Sequence, residues 1–242
     1  MIITCPSTEL IQTLRTTLYQ DIAALMPEPL SGASEILAHR RLQEVAEHSP
    51  ILLVWFAQPW WSEAIASTLI HCARIHLYAR ILDDALDENL PIHRLLILRA
   101  QSLFWASVGE LAKQHHCHWQ ESTRLIHETI KAVEKNDAQS LPDTWGLKNH
   151  HLLLIPLFLS GDQANWQQSK TALSDLIWLL QTGDEWQQGL LNSNNIKHNV
   201  LKEVERIMTA QTPAILLQGG WNRAAERALW ECEQLLTVLS NH

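Results

Sequence analysis

An all-α fold is what this sequence predicts, and three observations carry it. Glycine is scarce, 8 in 242 residues, about half its usual share of roughly 7%. The 9 prolines fall mostly between long stretches of Leu, Ala, Glu and Gln, which are strong helix formers. The run Ile51 to Ala57, ambiguous by periodicity alone, has no partner strand with which to pair.

The prolines set the elements in order. Residues 7–26 form a first helix ending before Pro27 and Pro29, and residues 33–48 a second ending before Pro50. The run Ile51 to Ala57 fits a buried helix or a strand by periodicity alone, and is read as helix because no strand could pair with it. Helices follow over 62–88, between Pro59 and Pro91, over 92–115, over 119–138 before Pro142, and over 145–159. The last three cover 164–191, 197–211 before Pro213, and 222–240. With no repeat and no Ser/Gly-rich linker, the reading is one helical bundle in one domain, residues 1–242.

Composition narrows the function. The chain is 46% hydrophobic and 18% charged, which excludes disorder. A net charge of -8 without a basic cluster excludes a nucleic-acid partner. The longest apolar runs, 51–57 and 152–159, fall far short of the roughly 20 residues that cross a bilayer, so no transmembrane segment is expected. The opening Met1-Ile-Ile-Thr-Cys-Pro6 lacks the basic flank and apolar core of a signal peptide, and a cytoplasmic location is expected. Cys5, Cys72, Cys117 and Cys232 are widely spaced and read as free thiols. His115, His116 and His118 crowd together, but consecutive helical residues point in different directions and make a poor metal site.

The third helix ends in Asp83-Asp84-Ala-Leu-Asp87-Glu88. Asp83 and Asp87 share one helix face and Asp84 and Glu88 the next, each pair an i,i+4 neighbour of like charge. They stand at the negative end of the helix dipole, so something cationic should offset them. Arg80 can neutralise one acid. The others suit a hard cation such as Mg²⁺, held by carboxylates, waters and a phosphate. Traced backwards, the stripe Arg80, His76, Ala73, Leu69 is partly apolar, which turns the acids inward. A solvated acidic helix end is the plainer reading of the same residues.

In this pattern the chain resembles the class I isoprenoid (terpenoid) synthases, which include prenyl synthases and terpene cyclases. The resemblance rests on the Asp-Asp-x-x-Asp phrase at Asp83, Asp84 and Asp87, and covers roughly residues 35–210. It implies a helical bundle around a central cavity, more than one Mg²⁺ ion, and a prenyl diphosphate substrate ionised at its allylic carbon. Asp83, Asp84 and Asp87 would be the catalytic acids, and Asp83, Asp87 and Glu88 would hold metal. A homodimer is compatible with this resemblance.

A second acidic phrase, Gln181-Thr-Gly183-Asp184-Glu185, resembles the Gln-x-x-Asp-Asp phrase of prenyl synthases. Its stripe Leu173, Ile177, Leu180, Asp184, Gln188 is apolar up to Asp184, which predicts a carboxylate turned inward. Asp184 and Gln188 would hold metal, with Gln181 and Glu185 beside the substrate. Gly183, costly within a helix, points to a packing or kink requirement. Two exposed acids on an ordinary amphipathic helix are the alternative. The phosphate signatures of chain-elongating enzymes are absent, which disfavours elongation.

For the diphosphate, Lys148 at a helix start is the best basic candidate, with Arg80 beside the first motif. Adjacent Arg40 and Arg41 fit a solvated face, and Lys197 fits either a closing segment or a plain connection. Eleven tryptophans invite a role in stabilising a carbocation through their ring faces. Trp105 and Trp178 are the candidates for substrate contact, although most of the tryptophans fit core packing. A member of the same fold that binds a lipid or a partner without turnover is the alternative function.

Overall fold

In the computed structural model Pro50 sits inside a helix instead of ending one. The structure describes residues 7–26, 32–61, 63–86, 94–114, 127, 131, 163–189, 191 and 194–240. Their helices are α1 (Ser7–Leu25), α2 (Ala33–Ala57), α3 (Glu63–Leu86), α4 (Arg94–Gln114), α5 (Gln163–Gln187), α6 (Asn194–Thr209), α7 (Thr212–Gln218) and α8 (Asn222–Ser240), with a 3₁₀ turn at Gln58–Trp60. No strand occurs among the described residues. The all-α expectation therefore holds. No described helix is long and apolar enough to cross a membrane. The helices expected at 119–138 and 145–159 lie outside the described residues, apart from positions 127 and 131, which are helical.

Two boundaries need correction. Residues 33–48 and 51–57 form the single helix α2. Pro50 removes one backbone donor and crowds the preceding turn, at a cost of about 3 kcal/mol. Leu42, Ala46, Leu53 and Phe56, on both sides of it, are at most 1% exposed, and each large apolar side chain so buried contributes about 1.5–3 kcal/mol. Tertiary burial outweighs the local defect. The seven-residue α7, with Pro213 in its first turn, is an element the sequence reading did not anticipate.

The described helices gather into two compact units, α1 to α4 and α5 to α8, and no Ser/Gly-rich linker marks the division in the sequence. In the first unit α3 packs on α2, α4 and α1. It buries Ile65, Leu69, Cys72, Ala73, Leu77 and Ile81. Polar ties fix its neighbours around it. Arg74 of α3 donates through both ends of its guanidinium to Asp21 of α1, at 2.8 and 3.1 Å. Arg15 of α1 donates to the Glu47 carbonyl of α2 at 3.1 and 2.8 Å. Arg99 of α4 reaches the Leu25 carbonyl, one of the unpaired acceptors at the end of α1.

In the second unit α5 is enclosed over most of its circumference from Ala172 to Thr182. α8 turns Ala224, Ala228, Cys232 and Leu235 inward, and α6 turns in Val200, Val204 and Ile207. The chain passes from α7 to α8 through Gly219-Gly220-Trp221. Gly220 has φ +89°, and the Trp221 amide donates back to the Leu216 carbonyl at 2.9 Å, which closes the helix end. Gly219 has an ordinary φ of -75°. It is needed for space, because a Cβ there would overlap the fully buried Trp221 indole.

The two glycines should therefore fail differently on substitution. Gly219→Ala overpacks the indole and should cost about 1–3 kcal/mol, with a change in Trp fluorescence. Gly220→Ala should cost about 1–2 kcal/mol by backbone strain alone, with the indole environment intact. Urea denaturation followed by fluorescence and circular dichroism tests both. A neutral Gly219→Ala would show that the indole is not seated against this turn.

Candidate functional site

Of the acids singled out in the sequence, Asp83 and Asp84 stand in the last turns of α3, and the side chain described is that of Asp84. It is 1% exposed. A carboxylate so enclosed is unfavourable unless cations and donors surround it, and two arginines do. Arg41 Nη1 of α2 lies 2.7 Å from Asp84 Oδ1. Arg80, one turn back on α3, donates to the same oxygen through Nε at 2.9 Å and through Nη2. Oδ2 is buried without a hydrogen-bond partner. The expected Arg80 pairing with one acid of the motif is thus present. Arg41, read in the sequence as part of a solvated face, instead joins Asp84, whereas Arg40 is exposed and pairs with Glu44.

Asp83 lies in the last turn of α3, and its side chain is outside the described residues, as are Asp87, Glu88 and Lys148. His115, His116 and His118 are outside them too. Among the described residues no three His, Cys, Asp or Glu side chains gather as a metal-holding group. By residue type the phrase Asp83, Asp84, Asp87 and Glu88 offers carboxylates, the ligands a hard cation takes. The unpartnered Oδ2 of Asp84 is an atom that a cation, or a water in its shell, would satisfy.

Further back on α3, His76 Nδ1 lies 3.0 Å from the buried Ser49 hydroxyl of α2, just before Pro50. Tyr78 of α3 packs on Phe104 of α4 with ring centroids 4.7 Å apart, and Phe104 meets Trp105 edge-on. Trp105 itself is 60% exposed.

In the second unit the acidic end of α5 departs from its expected orientation. Asp184 and Gln188 are exposed, so the prediction of an inward carboxylate at Asp184 is corrected. The physical reason is the near-continuous apolar run from 172 to 180, which buries most of the helix and leaves no polar side to fix the phase. The polar groups that are enclosed are Asp175, Gln181 and Thr182. Gln181 donates to Glu185 Oε1 at 2.8 Å. Trp178 is buried within the helical core. Lys197 sits half-buried near the start of α6.

Two buried acids of this unit escaped the sequence reading. Asp175 accepts from Arg206 of α6 at 2.5 Å and from the Thr212 hydroxyl of α7 at 2.6 Å. Glu231 of α8 is 4% exposed and pairs at 2.5 Å with Arg227, one turn back on its own helix. Its carboxylate lies over Gly183, where a Cβ would stand 2.9 Å from Oε2. Of the packing or kink reading at Gly183, the structure shows packing: the group that a Cβ there would meet is the end of the Glu231 side chain. The signal for Glu231 was present, since position 231 falls within the apolar stripe 224, 228, 232, 235 of α8.

Burial pushes the Glu231 carboxyl above the usual carboxylate range, and Asp184 adds to this, while Arg227 works against it. Burial, aided by Asp175 and Glu231, pushes the Cys232 thiol up to about 11, so it is an unreactive thiol. Comparison of the chain with protein-family models, with curated proteins and with solved structures returns no match.

A raised carboxyl pKa in the folded state means that ionisation opposes folding. The stability linked to Glu231 is fully present below its unfolded value and is lost as pH rises through the folded value. Urea titrations from pH 4 to pH 8 should therefore show Glu231→Gln gaining stability relative to wild type as pH rises. The opposite slope would mean that the Arg227 pair outweighs desolvation.

Proposed function

We propose that the chain is a Mg²⁺-dependent class I isoprenoid synthase-like enzyme, acting on one allylic prenyl diphosphate as a cyclase, a lyase or a related prenyl transferase. The observation that carries this reading is Asp84. It is an acid of the Asp83-Asp84-x-x-Asp87 phrase, near the end of a long helix in a unit whose described elements are helical, enclosed and held by two guanidiniums. A solvated acidic helix end needs no such arrangement.

In this proposal a cavity among the helices is what the resemblance to class I isoprenoid synthases implies. Asp83 and Asp87, four positions apart in the sequence, take the metal with Glu88, and Asp184 and Gln188 take a further ion. Bound Mg²⁺ would supply the charge that pulls diphosphate away from the allylic carbon. Arg80 serves by holding Asp84. Lys148 provides a cation for the phosphate oxygens, and Gln181 and Glu185 line the polar end. The apolar lining excludes water while the allylic cation rearranges or loses a proton. Trp105 offers a ring face to that cation, whereas Trp178 acts through packing.

A second reading is favoured by two specific observations. Asp184 and Gln188 are exposed, and Asp84 is committed through Oδ1 to arginines. A non-catalytic member of the same fold, binding a lipid or a partner, would carry such an eroded second motif.

Release of inorganic diphosphate from geranyl, farnesyl or geranylgeranyl diphosphate separates the two. Wild type with Mg²⁺ should release it. Asp83→Ala and Asp87→Ala should abolish release while leaving helicity unchanged and the melting temperature unchanged or higher, because clustered like charges are relieved. Mg²⁺ together with inorganic diphosphate, at about 100 times the dissociation constant, should add roughly 2.7 kcal/mol and raise the melting temperature by a few degrees. No release from any of the three substrates, with no thermal shift, would leave the non-catalytic reading.

A further inference from the structure

Arg41 has no place in the sequence motif, yet from α2 it reaches across to Asp84 in the last turns of α3. We infer that Arg41 is a positioning residue for a divalent-cation site at that end, acting through Asp84. The inference rests on the functional reading above.

Three features of the geometry support it. First, Arg41 and Asp84 are 43 positions apart and on different helices, so their contact fixes the last turns of α3 against α2, whereas the Arg80 contact lies within one helix. Second, both arginines use the same oxygen, Oδ1. A carboxylate closed off for stability alone would spread its two oxygens over the donors around it, as Asp21 does with Arg74. Asp84 is held by one oxygen, and the other, buried and without a hydrogen-bond partner, is free to face a cation or a water of its shell. Third, an enclosed ion pair contributes little net stability, and an unsatisfied buried oxygen adds a cost. What the arrangement supplies is direction. Carboxylates that ligate metals are commonly held in this way by outer donors, and loss of such a donor weakens metal affinity by roughly 10–100-fold.

The test is Mn²⁺ binding to the full chain, read from the electron paramagnetic resonance of the free ion, which does not depend on turnover. Arg41→Gln should weaken Mn²⁺ affinity roughly tenfold or more. Arg40→Gln, which alters the exposed neighbour, should leave it unchanged. Arg74→Gln, which removes an ion pair of the same unit away from the acidic end, should lower the melting temperature without moving the affinity, and so separates positioning from general stability. Because Arg41 acts through Asp84, Asp84→Asn combined with Arg41→Gln should bind no worse than Asp84→Asn alone.

If Arg41→Gln does not fold, Arg41→Lys carries the test, since a single ammonium cannot reproduce the planar guanidinium; weakened Mn²⁺ binding in that variant supports the inference. Wild-type affinity in a folded Arg41 variant, an Arg74→Gln loss as large as that of Arg41→Gln, or a further tenfold loss in the double variant would overturn the positioning role and leave the cation site standing. Absence of Mn²⁺ binding by the wild type would overturn the metal reading and the positioning role together.

Discussion

A charged carboxylate cannot be enclosed among aliphatic side chains without a cation or donors close to it, and this constraint organises both helical units. Three acids meet it in three ways. Asp84 takes two guanidiniums on one oxygen. Asp175 divides its oxygens between Arg206 and Thr212, so one carboxylate joins α5, α6 and α7. Glu231 has Arg227 of its own helix and lies against the backbone of Gly183. At Glu231 burial drives the carboxyl upward against its arginine. Where two elements must be held in register, the acid recruits a partner from another helix. Where the partner is one turn away, it neutralises charge without fixing one helix on another.

Space follows from the same constraint. Glu231 can approach α5 because position 183 has no Cβ, and Trp221 can fold back over the end of α7 because position 219 has none. Neither glycine has a positive φ, so neither is explained by turn geometry. Each is a point where a large or polar side chain comes against backbone. Gly220 is different in kind, since its φ of +89° would strain any other residue.

Much of the helical content was legible in the sequence, because it depends on local propensity and on where prolines can stand. α1, α3, α4, α6 and α8 lie within a few residues of their expected spans. What was not legible depends on burial. Pro50 looked like a terminus, but the aliphatic side chains on both sides of it are enclosed and hold α2 continuous. α7 is too short to show a period, and Pro213 reads equally as a stop for one helix or the first turn of the next. The facing of α5 at Asp184 was not legible, because an apolar stripe indicates a direction only when a polar stripe opposes it, and from 172 to 180 little does.

Of the candidate site, the sequence pointed to Asp84 and its partner Arg80, whereas the second cation, Arg41, was hidden. Nothing in an Arg-Arg pair says which member faces inward, for consecutive helical positions differ by about 100° and both are long enough to reach solvent. The phase of the surrounding helix does say it. Ala38, Leu42, Val45, Ala46 and Ser49 form the buried face of α2, and position 41, three after Ala38 and four before Val45, borders that face while position 40 points away from it. An arginine bordering an apolar stripe needs an enclosed anion just as Asp84 needs an enclosed cation. Two residues that each break the pattern of their own helix, Arg41 on α2 and Asp84 on α3, are therefore better read as one pair than as two exceptions.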